Sequence, residues 1–164
     1  DKFNGFIIGF QSCRPLSRGE IKLNSNNIND DPLINPNYLS NAKDLYDLKC
    51  AYDFVKKISQ NKYLDKIISH PIGIDPITAS KEELNNHFRK NASSAYHPCG
   101  TCRMGPNKKT SVVSNRLKVH ETKNLWVLDA SVFPNITSGN INAPVMMTAY
   151  IGSNLISEDI NKLI

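Results

Sequence analysis

His97 stands in the stretch Tyr96-His97-Pro98-Cys99-Gly100-Thr101-Cys102-Arg103-Met104-Gly105. Imidazole ionises near neutral pH, so a histidine in such a loop is suited to take a proton from a hydroxyl group. Pro98 restricts the residue before it to extended backbone, and Gly100 and Gly105 permit a sharp turn and close approach to a ligand. Further along, Asn140 lies in Ser138-Gly139-Asn140-Ile141-Asn142-Ala143-Pro144. An amide there can hold a reacting oxygen in line, which is orientation rather than acid–base work. Asn142 is placed to cap a following helix, with Pro144 in the first turn, where its missing N–H costs nothing. The start of that helix would present free N–H groups and a partial positive charge. A base, an orienting amide and an electropositive helix end are what oxidation of an alcohol at a flavin needs. The hydroxyl proton goes to the base, a hydride leaves the carbon, and the reduced ring gains negative charge that the helix end favours.

Residue types alone leave blander readings open. A single histidine in a loop is commonly structural, and an asparagine before a helix is commonly a cap. Cys99 and Cys102 form a C-x-x-C, and with His97 they raise a small thiol or zinc protein as a rival. Cys13 and Cys50 stand apart and complete no four-ligand set, and no βαβ context supports a thioredoxin-like motif. Reduced cysteines in a tight loop are the simpler account, and they point to a cytoplasmic protein. His70 and His87 have no partners at metal spacing and read as surface or packing residues.

Composition narrows the classes further. With 164 residues, 40% hydrophobic and 21% charged, the chain can bury a core and is not disordered by composition. Its net charge of +5 comes from scattered lysines, in runs such as Lys56-Lys57 and Lys108-Lys109 that are too short for a nucleic-acid stripe. No apolar run reaches the length of a membrane span. The Asn135-Ile136-Thr137 sequon is of a kind common by chance. The chain opens without Met or a signal-peptide layout, so the expectation is a fragment or C-terminal region entered in mid-protein.

The elements that must carry the candidate residues follow from periodicity. Residues 3–13 and 18–23 read as strands separated by a turn at Arg14-Pro15-Leu16-Ser17, and 24–36 as an Asn/Asp/Pro-rich loop. Over 41–59, Leu45, Leu48, Ala51, Tyr52, Val55 and Ile58 recur at helical spacing, with Asp44, Asp47, Lys49, Asp53, Lys56 and Lys57 on the solvated face. Ser80 and Glu83 form a capping box opening a second helix through Leu84, His87 and Phe88. Val112-Val113 and residues 117–120 suggest short strands, and 125–128 a fully buried one. A last helix is expected from about Ala143 towards Ile164, with Met146, Met147, Tyr150, Leu155, Ile156 and Ile160 facing inward.

The order and wording of these segments resemble the C-terminal part of the glucose–methanol–choline (GMC) flavoprotein oxidoreductases, particularly their choline-dehydrogenase-like branch. The carriers are the His97-Pro98-Cys99-Gly100-Thr101 motif, Val127-Leu128-Asp129-Ala130-Ser131, and Gly139-Asn140-Ile141-Asn142-Ala143-Pro144. The early Arg14-Pro15-Leu16-Ser17-Arg18-Gly19 unit also resembles the start of the family's substrate domain. The resemblance implies an α+β fold: an antiparallel sheet with helices on one face, then a strand and helix belonging to the FAD-binding domain. Residues 1–110 would be the substrate-domain portion, and 111–164 would complete the FAD domain and active site. It implies FAD as cofactor, His97 as catalytic base and Asn140 as the second active-site residue. Asp129 and Ala130 would meet the FAD diphosphate, and Asn142 and Ala143 the flavin ring. The implied partners are a small alcohol and a missing N-terminal FAD-binding segment, since the chain's eight glycines contain no G-x-G-x-x-G. A non-catalytic, split-off or degenerate module acting only with a partner chain is the remaining alternative.

Overall fold

Asn41 sets its side-chain oxygen 2.9 Å from the backbone nitrogen of Lys43, and the chain turns from there into helix α1 (Ala42–Ser59). The computed structural model describes residues 4–162. In chain order it contains β1 (Glu20–Lys22), β2 (Leu33–Asn35), α1, α2 (Lys81–Asn91), a 3-10 turn (Ala130–Val132) and α3 (Asn142–Asn161). Among the described residues the architecture is α+β, three helices and one two-stranded antiparallel sheet. The chain divides into two compact units: residues up to Gly19 with Asn35–Ser93, and Glu20–Ile34 with Ser94 onward.

The first unit is built on α1 and α2. The Ser80 hydroxyl accepts from Glu83 N–H and the Glu83 carboxylate accepts from Ser80 N–H, the reciprocal pair expected of that spacing. Tyr52, Leu84 and Phe88 form its buried centre, with Phe10, Leu45, Leu48 and Ile74 packed around them. Phe88 meets Phe10 and Tyr52 edge-to-face at centroid separations of 6.1 and 6.0 Å, the geometry the ring quadrupoles favour.

Asp44 departs from the sequence reading. Expected on the solvated face of α1, it is only 2% exposed. Its carboxylate accepts from Leu16 N–H at 2.7 Å, from Ser17 N–H at 2.8 Å and from the Ser17 hydroxyl. Burying a carboxylate is tolerable only when its lone pairs are filled, and here the Leu16–Ser17 turn fills them.

The second unit has its own core of Val113, Leu117, Val132 and Phe133. Cys99, Met104, Val127, Leu128, Ile141 and Val145 pack against it. Several expected strands are not strands here. Residues 4–13 form no ladder, with Ile7 95% exposed, and Phe3 lies outside the described residues. The segment 125–128 is held by one isolated bridge, Lys118 to Trp126, and Leu125 is exposed. An apolar run becomes a strand only when a neighbour pairs with it, and the isolated bridge at Trp126 is too little to make one of 125–128. Conversely β2 arises inside the segment read as loop, and all six residues of the sheet are exposed.

Helix α3 also differs from expectation. Met146, Met147, Tyr150 and Ile160 are exposed rather than inward, and Gly152 is its buried residue. Runs such as Val145-Met146-Met147 and Ala149-Tyr150-Ile151 put apolar residues on every side of the helix, so spacing does not select the packed face. The face that packs is the one where Gly152 lets the helix approach Leu117 and Leu128. A β-carbon there would lie 2.7 Å from Leu117 Cδ1 and 2.6 Å from Leu128 Cδ2.

Candidate active site

The second-unit core carries a loop, a turn and a helix start on one scaffold. Gly100 N–H donates to Ala130 O at 3.3 Å, Cys102 N–H to Ser131 O at 2.9 Å and Met104 N–H to Val132 O at 2.7 Å. These bonds fasten the segment after His97 along the 130–132 turn. Gly100 has φ +88°, a conformation that residues with a β-carbon rarely adopt, and this reverses the loop immediately after Cys99. At the far end of α3, Arg116 Nη2 donates to Asp159 Oδ1 at 2.7 Å and to Leu155 O at 3.2 Å. That contact ties the turn around Leu117 to the helix C-terminus, where a cation is favoured, and it holds the Asp159 carboxyl below its ordinary pKa.

His97 and Asn140, 43 positions apart in sequence, meet on this scaffold. His97 Nε2 lies 3.4 Å from Asn140 Nδ2. The proton arrangement follows from the remaining partners. His97 Nδ1 is 3.0 Å from Tyr96 O, and a carbonyl can only accept, so Nδ1 carries the hydrogen. Asn140 Oδ1 accepts from Asn142 N–H at 2.8 Å, which turns the amide NH₂ towards His97. The pair therefore offers a lone pair at Nε2 and a donor at Nδ2 side by side. An oxygen between them could give its proton to one while accepting from the other. His97 is half-buried and Asn140 exposed, so the pair is open to a small molecule.

The expected cofactor residues divide between two places. Asp129 begins the 130–132 turn, accepting from Ser131 N–H at 2.8 Å and from the Ser131 hydroxyl. Ala130 packs on the core. Asn142 and Ala143 are exposed in the first turn of α3. Asn142 is not the cap expected of it. The helix starts at Asn142 itself, its cap position Ile141 makes no side-chain bond, and Asn140 supplies the oxygen for the Asn142 N–H. The physical reason is reach, since an Asn side chain readily bonds the backbone two residues on. An exposed helix N-terminus with the small residue Ala143 suits close approach of a flat, anionic ring.

Among the described residues no three His, Cys, Asp or Glu side chains assemble as metal ligands, so Cys99, Cys102 and His97 gain no support as a zinc set. No helix among them is long and apolar enough to cross a membrane. Sequence reasoning missed the part played by Tyr96, whose backbone lies at φ +61° next to His97. A positive φ at a residue other than glycine leaves no mark in the sequence.

Comparison with known proteins identifies the family to which this fold belongs. The family model for the GMC oxidoreductases matches residues 15–149, and the chain belongs to that family. It is 38% identical over 152 residues to the alcohol dehydrogenase [acceptor] of Pseudomonas putida, covering 93% of this chain and 27% of that protein. It is 38% identical over 146 residues to an oxygen-dependent choline dehydrogenase of Chromohalobacter salexigens, covering 89% and 26%. Among solved structures, formate oxidase of Aspergillus oryzae, studied for FAD modification, superposes with a TM-score of 0.82 at 28% identity. That match covers 93% of this chain and 27% of the other. The chain thus spans about a quarter of the length of the relatives it matches.

Proposed function

We propose that this chain is the C-terminal region of an FAD-dependent oxidoreductase acting on the CH–OH group of a small alcohol. The observation that carries the reading is the 3.4 Å approach of His97 Nε2 to Asn140 Nδ2, with the tautomer and amide orientation fixed by their other partners. Bound FAD supplies the two-electron acceptor for the hydride leaving the alcohol carbon. His97 takes the hydroxyl proton at Nε2, and Asn140 donates from Nδ2 to the alcohol oxygen and holds it in line. Asp129 and Ala130 are the residues we assign to the diphosphate, and Asn142 and Ala143 to the flavin ring, whose negative charge the N-terminus of α3 favours.

Within the whole protein, residues 1–110 are assigned to the substrate domain and its antiparallel sheet, and 111–164 to the FAD domain. Support comes from the family match and from relatives about four times longer, which also favours a requirement for the family's N-terminal FAD-binding segment. By itself the chain is then inactive and works only with that segment. The cytoplasmic assignment rests on the thiols of the sequence.

The test is His97→Ala in the whole enzyme. Anaerobic flavin reduction by saturating alcohol should slow by roughly 10²–10⁴-fold, the usual worth of a positioned base, with flavin content unchanged. Reduction at the wild-type rate would refute the assignment.

A further inference from the structure

The backbone around His97 is constrained from both sides. Pro98 disfavours helical conformations for His97 itself. Tyr96 sits at φ +61°, a region that side chains with a β-carbon enter only at a cost. Tyr96 is 88% exposed, so packing of its side chain does not hold the backbone there. Two hydrogen bonds secure it. Tyr96 N–H donates to Ser94 Oγ at 2.9 Å, and Tyr96 C=O accepts from His97 Nδ1 at 3.0 Å. Strain of this kind persists where surrounding contacts over-determine it.

We infer that Tyr96 is a positioning residue whose left-handed peptide presets the tautomer of His97, so that Nε2 is the atom able to accept a proton. A neutral imidazole carries one N–H, and with Nδ1 bound to the Tyr96 carbonyl the lone pair must lie on Nε2. The opposite tautomer presents an N–H to an approaching hydroxyl and cannot act as base at that atom. A ring free to exchange tautomers is competent only in the fraction with Nε2 bare, and the rate falls to that fraction of its full value. The inference rests on the reading of His97 as base, but the tautomer is observable without turnover.

Three substitutions separate backbone from ring. Tyr96→Asn, Tyr96→Gly and Tyr96→Val all remove the exposed ring, but only the β-branched residue resists a positive φ. NMR of the imidazole nitrogens in ¹⁵N-histidine-labelled full-length protein reads which nitrogen is protonated. Nδ1–H is expected for His97 in the wild type and in the Asn and Gly variants. In Tyr96→Val the Nε2–H form should gain by up to roughly tenfold, the usual penalty for a left-handed residue expressed as a population. Flavin reduction in the loaded enzyme should fall in proportion to the Nδ1–H fraction lost, in that variant alone, with flavin content and alcohol KM unchanged. A wild type dominated by Nε2–H overturns the inference, and needs no variant to fold. Equal tautomers in the Val and Asn variants, or loss of Nδ1–H in all three, overturn it as well. If the tautomers behave as expected but His97→Ala reduces flavin normally, the base assignment fails and the ring positioning stands.

Discussion

The Asn140 amide faces His97 with its nitrogen because its oxygen is already committed to the backbone N–H of Asn142, 2.8 Å away at the start of α3. One side chain thus joins the helix start to the imidazole. The 3.4 Å separation is long for a direct hydrogen bond, as catalytic contacts often are before substrate arrives. It brings the two groups close enough for one hydroxyl oxygen to contact both.

Asn140→Asp separates the two duties of this side chain. The carboxylate still accepts from Asn142 N–H, so the fold should keep its stability. The group facing His97 changes from a donor to an anion, which favours the protonated imidazolium. The pH at which flavin reduction in the whole enzyme reaches half its maximum should therefore move upward. Asn140→Ala should instead lose about 1 kcal/mol of stability along with about 10²–10³-fold in reduction rate. Asn140→His should recover part of that rate. A pH profile unmoved in Asn140→Asp, with reduction rates unchanged in the other two, would leave Asn140 a purely structural residue.

Local signals in the sequence were reliable where their partners are also local. The Ser80–Glu83 capping box and the Asn41 start of α1 involve residues two or three apart, and both appear as read. Asp44 was misplaced because the groups that hold it, Leu16 and Ser17, come from a turn 27 and 28 residues earlier. Residues 4–13 and 125–128 carry β-type apolar patterns, yet a strand also requires a neighbour, and no local pattern names one. The encounter of His97 with Asn140 likewise crosses 43 residues, and the family wording around each suggested it where spacing could not. Tyr96 had no signal, since its conformation is set by Ser94 and by the ring it orients.

Gly152 should not tolerate a methyl group. Elsewhere in a helix Gly→Ala gains up to about 1 kcal/mol in propensity. Here the added β-carbon would lie 2.6–2.9 Å from Leu128 atoms and 2.7 Å from Leu117 Cδ1, well inside van der Waals contact. Leu117 is buried and cannot swing clear. Overpacking at a closed contact typically costs about 1–3 kcal/mol, which exceeds the propensity gain. Gly152→Ala should lower the melting temperature by several degrees in a thermal scan. A rise would mean that α3 does not approach Leu117 and Leu128 this closely.

Asp44 gives the fold an acid-sensitive point remote in sequence from the candidate chemistry. Burial pushes its carboxyl upward, but the Ser17 hydroxyl and the Leu16 and Ser17 N–H groups outweigh that and hold it below the ordinary value. The sign of the linkage follows. A depressed native pKa means that the unfolded chain binds the proton more readily, so stability rises with pH wherever the two states differ in protonation. The contribution is complete above the unfolded aspartate value, near 3.9, and is lost as pH falls through the lower native value. Asp44→Asn removes that titration and turns an amide NH₂ towards a donor, either Leu16 N–H or the Ser17 N–H and hydroxyl. One or two buried donors then lack an acceptor, at about 1–3 kcal/mol each. Urea denaturation at pH 7 should show the variant less stable than wild type. The gap should narrow as pH falls below about 4, where the unfolded wild-type chain takes up a proton that the native carboxylate still resists. A gap that stays constant with pH would show that Asp44 is not the ionised anchor of the Leu16–Ser17 turn.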